Sequence, residues 1–173
     1  MMLMNKTSNN QTKPKDKGTS IDGGKMAPRS QNRRAYFDYH IMDKIEAGIQ
    51  LVGSEVKSLR QGRVQLNQSF ARIRDNEVHL LGCHIEEYIE ANRLNHDPTR
   101  ARRLLLHRRE IRRLVTRMQK DQGATLIPLE IYFRRGYAKV LLGIAIGKKQ
   151  YDKRAAIKER DDKRSMEKAL RRR

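Results

Sequence analysis

The sequence predicts a mainly β protein: a closed antiparallel barrel of about six short strands, with two to three helices and a basic C-terminal tail. Three observations predict it. Apolar and polar side chains alternate through much of the middle of the chain, the period of a strand. Nearly all the Leu, Ile, Val, Tyr and Phe lie within residues 32–146, so one core is confined there. Short or moderate connections can join every strand in that stretch, and so many short strands are best relieved of exposed edges by closure.

Taken in order, residues 36–41 alternate aromatic or apolar side chains with polar ones and read as the first strand. Residues 45–52 follow, with Ile45, Ala47, Ile49 and Leu51 on one face. Gly48 inside that run predicts a bulge or sharp bend, as small barrels need at their corners. Ser54 is placed to cap a short helix, Glu55 suits its first turn and Gly62 ends it. Residues 69–74 and 77–84 form a hairpin about the two-residue turn Asp75-Asn76.

Asp97-Pro98 signals a helix start, a capping side chain followed by proline at the first helical position. The consecutive Leu104-Leu105-Leu106 breaks amphipathic spacing, so an opening turn and an irregular stretch are expected before the helix proper. From His107 onward Ile111, Leu114, Val115 and Met118 fall at helical spacing, and Gly123 closes the element. Arg108, Arg109, Arg112, Arg113 and Arg117 occupy the other face. Residues 126–133 and 137–146 make a last hairpin around Arg134-Arg135-Gly136. A small barrel with a helix inserted before its last strands is OB-like, a fold that often binds oligonucleotides.

Charge divides the 173 residues into three parts. Lys and Arg total 39 against 20 acids, a net charge of +19. Residues 1–31 hold six bases and two acids among Gly, Ser, Thr, Asn and Pro, and are expected to be disordered. Residues 32–146, the barrel, hold 21 bases and 13 acids; residues 147–173, the tail, hold 12 and 5. So large an excess opposes compaction unless a polyanion neutralises it, and nucleic acid is the natural one. A membrane is the weaker rival, because no apolar run is long enough to span a bilayer, and Met1-Met2-Leu3-Met4 is too short for a signal-peptide core. Cys83 stands alone, so no internal disulfide or cysteine zinc site is expected, and His40, His79, His84, His96 and His107 lack metal-ligand spacing. A cytoplasmic monomer without metal or cofactor is the expectation. No Ser–His–acid arrangement is evident, and Gly147-Lys148-Lys149 lacks the rest of a P-loop, so no enzyme is expected.

The tail reads as a conditional helix. Residues 152–170 contain no glycine or proline, and Glu159–Lys163 and Glu167–Arg171 have the favourable acid-first i,i+4 spacing. Each pair contributes about 0.2–0.5 kcal/mol, which barely offsets helix nucleation, so an anionic surface must supply the rest. Helical from 152 to 173, the tail would reach about 33 Å, suited to threading a channel. The same composition also fits a solubility tail or a non-specific counter-ion.

At this point the residues resemble a known family. Asn32-Arg33-Arg34-Ala35, Glu46-Ala47-Gly48-Ile49 and Gly53-Ser54-Glu55-Val56-Lys57-Ser58-Leu59-Arg60 look like the amino-terminal half of the SsrA-binding protein family, also called small protein B. Asn95-His96-Asp97-Pro98-Thr99-Arg100 with Arg103-Leu104-Leu105-Leu106-His107 is similar to its middle. Gly147-Lys148-Lys149-Gln150-Tyr151-Asp152-Lys153-Arg154 is similar to its tail junction. The resemblance runs over about residues 32–170, in order and without large gaps.

The resemblance implies an OB-like barrel that binds the tRNA-like domain of transfer-messenger RNA and escorts it to stalled ribosomes. The barrel would stand where an anticodon arm stands, while the tail enters the empty mRNA channel beside the 16S rRNA of the small subunit and becomes helical. The stalled peptide then receives a degradation tag, with no covalent step catalysed by the factor. Glu46, Leu105 and Lys139 fall at the family's RNA-binding positions, and Asn32 begins the matched block. Tyr151, Asp152, Lys153 and Arg154 fall at the decoding-centre segment, where some relatives place histidine at position 151. Ala169-Leu170 falls where relatives carry an apolar pair, and Met166 would extend it.

Plainer readings stand beside these. A glutamate in a strand commonly faces solvent, Leu105 can be core packing, and Arg108, Arg109, Arg112 and Arg113 can be a solvated face rather than phosphate ligands. A structural ribosomal protein or general OB-fold RNA chaperone would share the charge and the tail. A small RNA-modifying enzyme would need a catalytic constellation that the sequence does not show.

Overall fold

The computed structural model describes residues 28–91 and 95–149, with residues 21–22, 25–26, 151 and 165–166 as short pieces. The chain runs β1 (Ile21–Asp22), β2 (Lys25–Met26), β3 (Ser30–Gln31), α1 (Arg33–Asp38), β4 (Tyr39–Ile49), α2 (Gly53–Arg60), β5 (Val64–Gln65) and β6 (Phe70–Arg74). It continues through β7 (Glu77–Leu81), β8 (His84–Ile85), β9 (Arg102–Leu105), α3 (Arg108–Lys120), β10 (Ala124–Arg134) and β11 (Tyr137–Gly147). Hydrogen bonding follows the order β11-β4-β9-β7-β6-β10, and β10 also pairs with β11, so these six strands form a ring. The described residues are mainly β with three helices, as the patterning predicted.

The ring is uneven. β11 is its spine, paired over residues 137–146 with β10 on one side and over 139–147 with β4 on the other. β10 bulges between Pro128 and Glu130, where proline has no N–H to give to a ladder. The far side is thin. β4 meets β9 at two positions, and β6 meets β10 at Leu126↔Ala71 alone. Leu80, Leu126, Ile131, Phe133, Val140 and Leu142 fill the interior, and Ile111 and Leu114 of α3 join the same cluster. A smaller cluster of Ala35, Ile127, Leu129 and Ala145 holds α1 against the other face of β10 and β11.

Several local expectations are corrected. Of the predicted strands 36–41 and 45–52, residues 36–38 belong instead to the helix α1 and 50–52 lie outside any strand, while 39–41 and 45–49 are strand as predicted but joined in one long element, β4. Asn32 starts α1, its Oδ1 accepting the Ala35 N–H at 3.1 Å. The expected bulge at Gly48 is absent; β4 is irregular between Ile41 and Asp43 instead. Gly48 serves close approach, since a Cβ there would lie 3.2 Å from Leu105 Cβ. Val52 rather than Ser54 is the cap of α2, with Glu55 Oε2 accepting the Val52 N–H at 2.8 Å.

No helix starts at Asp97-Pro98. Asp97 Oδ1 accepts from Thr99 N–H and hydroxyl at 2.8 and 3.0 Å, forming a turn. The stretch expected to be irregular is strand β9, with Arg102 and Leu104 buried and Arg103 and Leu105 exposed. An arginine at an inward position hid this alternation. Arg102 is buried because Glu55, also buried, accepts from its Nε at 2.8 Å, while its other nitrogens bond Cys83 O at 2.6 Å and Pro98 O at 2.9 Å. Arg100 adds a second grip on Glu55 at 2.6 and 2.7 Å. This network ties α2 to the connection leading into β9.

The segment 1–31, expected to be disordered, contributes at its end: Ser30 and Gln31 pair with Ile131 and Glu130, and Arg29 forms an ion pair with Glu130. Residues 1–20 and most of the tail expected to be helical on the ribosome lie outside the described residues.

Candidate nucleic-acid interface

The long ladders set the first part of the site. Register places Lys139 opposite both Tyr132 of β10 and Gly48 of β4, with Glu46 two residues from Gly48 and on the same face. Glu46 is thereby met from three sides. It accepts a hydrogen bond from the Tyr132 hydroxyl, takes Arg134 Nη1 at 3.1 Å, and has Lys139 Nζ at 3.8 Å. The Tyr132 bond and the two cations outweigh partial burial and hold the Glu46 carboxyl below its ordinary range. Burial, then the Glu46 bond, pushes the Tyr132 phenol up to about 12. The result is a half-exposed, preorganised set of one hydroxyl and two cations around a carboxylate.

Tyr132 and Arg134 were not singled out from the sequence. The signal was there: they alternate with buried Ile131 and Phe133, so strand period alone turns them outward.

The second part adjoins the first across Gly48. Leu105 pairs with Gly48 and is 52% exposed, a large apolar side chain facing water. With Arg108, Ile111, Arg112 and Val115 it lines an open groove of about 970 Å³ between α3 and the β6–β7 turn. Burial of Ile111 and Leu114 in the core fixes the rotation of α3 and turns Arg108 and Arg112 outward. Neither makes an ion pair among the described residues. Arg113 is 3.8 Å from Asp43, and Arg117 is 3.8 Å from Asp121.

Asn32 lies elsewhere. It is 4% exposed, and its side chain bonds Leu66 O and Pro128 O at 3.1 Å besides capping α1, so no polar atom of it faces solvent.

The tail junction leaves from the opposite end of β11. Gly147 pairs with Tyr39, and Lys148 donates from its backbone to Asp38 O at 2.9 Å and from Nζ to Tyr36 O at 3.1 Å. Lys149 is exposed and Tyr151 is 81% exposed. Gly147 lies eight residue steps beyond Lys139 along the strand, about 27 Å at strand rise. Glu46 and Lys139 therefore lie toward one end of the β4–β11 ladder and the tail root at the other. Asp152, Lys153, Arg154, Ala169 and Leu170 lie outside the described residues.

Among the described residues no cluster of His, Cys, Asp and Glu could hold a metal ion, and no helix is long and apolar enough to cross a membrane.

A model of the family described as SmpB protein matches residues 29–172. The SsrA-binding protein of Carboxydothermus hydrogenoformans is 54% identical over 142 residues, covering 82% of this chain and 95% of its own. That of Geobacillus kaustophilus is 51% identical over 144 residues, covering 83% and 92%. A chain in the solved structure "tmRNA-SmpB: a journey to the center of the bacterial ribosome" is 53% identical with a TM-score of 0.61, covering 72% of this chain and 87% of that one. The chain belongs to the SmpB family, the SsrA-binding proteins.

Proposed function

We propose that this protein binds the tRNA-like domain of transfer-messenger RNA and delivers it to stalled ribosomes for peptide tagging and ribosome release. The observation that carries this reading is the single outward face on which Glu46, Tyr132, Arg134 and Lys139 adjoin the groove of Leu105, Arg108 and Arg112, in a chain of the SsrA-binding family. The ring is read as an OB-like barrel. Lys139, Arg134 and the α3 arginines contact phosphates, which position the RNA without reading sequence. Glu46 acts chiefly by orienting Tyr132, Arg134 and Lys139, because its oxygens already accept from them. Asn32 acts through α1, which it anchors to β10.

In the same reading, the tail from Gly147 through Leu170 occupies the empty mRNA channel, with Tyr151 stacked on a base at the decoding centre. The protein works in the cytoplasm as a monomer and catalyses no covalent step.

The test is competition at physiological salt, where non-specific phosphate contacts fade. Folded transfer-messenger RNA is expected to bind much more tightly than unstructured RNA of equal length. Equal affinities would favour a general RNA chaperone and overturn the proposal.

A further inference from the structure

The groove beside Leu105 does not end at Val115. That residue also lines a second hollow of about 510 Å³, bounded by Phe70 and Arg72 of β6, Met118 and Gln119 of α3, and Thr125 of β10. The hollow exists because the ring barely closes there. β6 pairs with β10 at Ala71 alone, so beyond that point alternate backbone N–H and C=O groups on this edge of β6 meet no strand.

Its chemistry is specific. Phe70 is 43% exposed, an aromatic face left to water beside the hollow. Arg72 lies two residues on and shares its side of the strand. Through its backbone Arg72 belongs to the β6–β7 ladder, but its side chain makes no hydrogen bond or ion pair among the described residues, and no acid lines the hollow. A ring for stacking, an uncompensated guanidinium, an amide, a hydroxyl and a free strand edge together match one class of ligand: an unpaired nucleotide, with base, phosphate and hydrogen-bonding edge each given a partner. An apolar peptide would leave Arg72 unanswered. Continuity with the groove of Arg108 and Arg112 favours a nucleotide from the same RNA.

We propose that this hollow holds an unpaired nucleotide of the transfer-messenger RNA bound in the adjoining groove, with its base on Phe70 and its phosphate on Arg72. The proposal rests on the RNA-binding reading above. The probe is full-length transfer-messenger RNA, titrated with the full chain at several salt concentrations.

Phe70→Ala is expected to weaken binding about 5- to 150-fold, the range for one stacked base, and Phe70→Tyr to restore it. Arg72→Ala should lower the slope of log affinity against log salt by about one. Ultraviolet crosslinking of the unmodified protein should join RNA to the peptide carrying Phe70, a readout independent of variant folding. Failure of the unmodified protein to prefer this RNA would remove the RNA-binding reading itself. Preference retained, with Phe70→Ala affinity and Arg72→Ala slope unchanged and no crosslink at this peptide, would overturn the nucleotide site alone. A Phe70→Ala loss that tyrosine does not rescue, or one confined to ribosome binding, would overturn it equally.

Discussion

Glu46 and Glu55 are each met by two cations, yet they have different consequences. Glu46 sits at the surface, where its ion pairs are screened and its value is orientation. Glu55 is fully buried between Arg100 and Arg102, where loss of one partner leaves charge without compensation. Burial pushes its carboxyl up, but the two arginines and the Val52 N–H outweigh that and hold it below the ordinary 4.5. A carboxylate depressed on folding contributes stability that is present above its unfolded value and is lost as pH falls through its folded value. Glu55→Gln should therefore lower unfolding free energy by about 3–5 kcal/mol at neutral pH. Its deficit should shrink below pH 4.5, as followed by urea titration at several pH values. A deficit independent of pH would contradict the ionised pairing. Cys83, beside the same network, has its thiol pushed up to about 11, by burial first and by Glu55, against the pull of Arg102. It should resist a thiol reagent at neutral pH in the native protein and react once guanidinium unfolds the chain.

At the scale of elements, β9 is joined only lightly to β4 and carries a proposed RNA residue. Two pairs hold it to β4, and Leu105 lies directly over Gly48. Gly48→Val should push Leu105 outward, since even a Cβ there would sit 3.2 Å from it. The expected outcome is reduced affinity for transfer-messenger RNA with a modest fall in Tm; unchanged affinity would remove Leu105 from the interface. The tail is a separate element, rooted about 27 Å away by strand rise. Deleting residues 152–173 should leave RNA affinity nearly intact and abolish tagging on stalled ribosomes. Loss of affinity equal to that of Lys139→Ala would contradict this division.

At the scale of the molecule, the charge of +19 governs how the protein meets its partner. Binding should weaken steeply with salt, by about 0.7–0.9 in log affinity per unit log salt for each phosphate neutralised. Lys139→Ala and Arg134→Ala should each reduce that slope, whereas Tyr132→Phe should reduce affinity at constant slope. A Tyr132→Phe variant with a changed slope would show that the phenol acts through the cations rather than alone.

Much of this was legible without a fold. Strand period gave β6, β7, β10 and β11, helical spacing gave α3 and its arginine face, and composition gave a polyanionic partner, because each is a local property of side-chain order. The motif blocks gave the family. Other features were decided by tertiary contacts. Arg102 is inward only because Glu55, distant in sequence, receives it, so β9 could not be seen as a strand. The close approach of Leu105 to Gly48 and the hold of Asn32 on the Leu66 and Pro128 carbonyls are likewise visible only in the folded chain. The grouping of Tyr132, Arg134 and Lys139 about Glu46 follows from register across three strands, which no single segment encodes. The sequence by itself determined which residues can form strands and what charge they carry. Tertiary structure decided which of them face one another, because a ring fixes neighbours by pairing rather than by order along the chain.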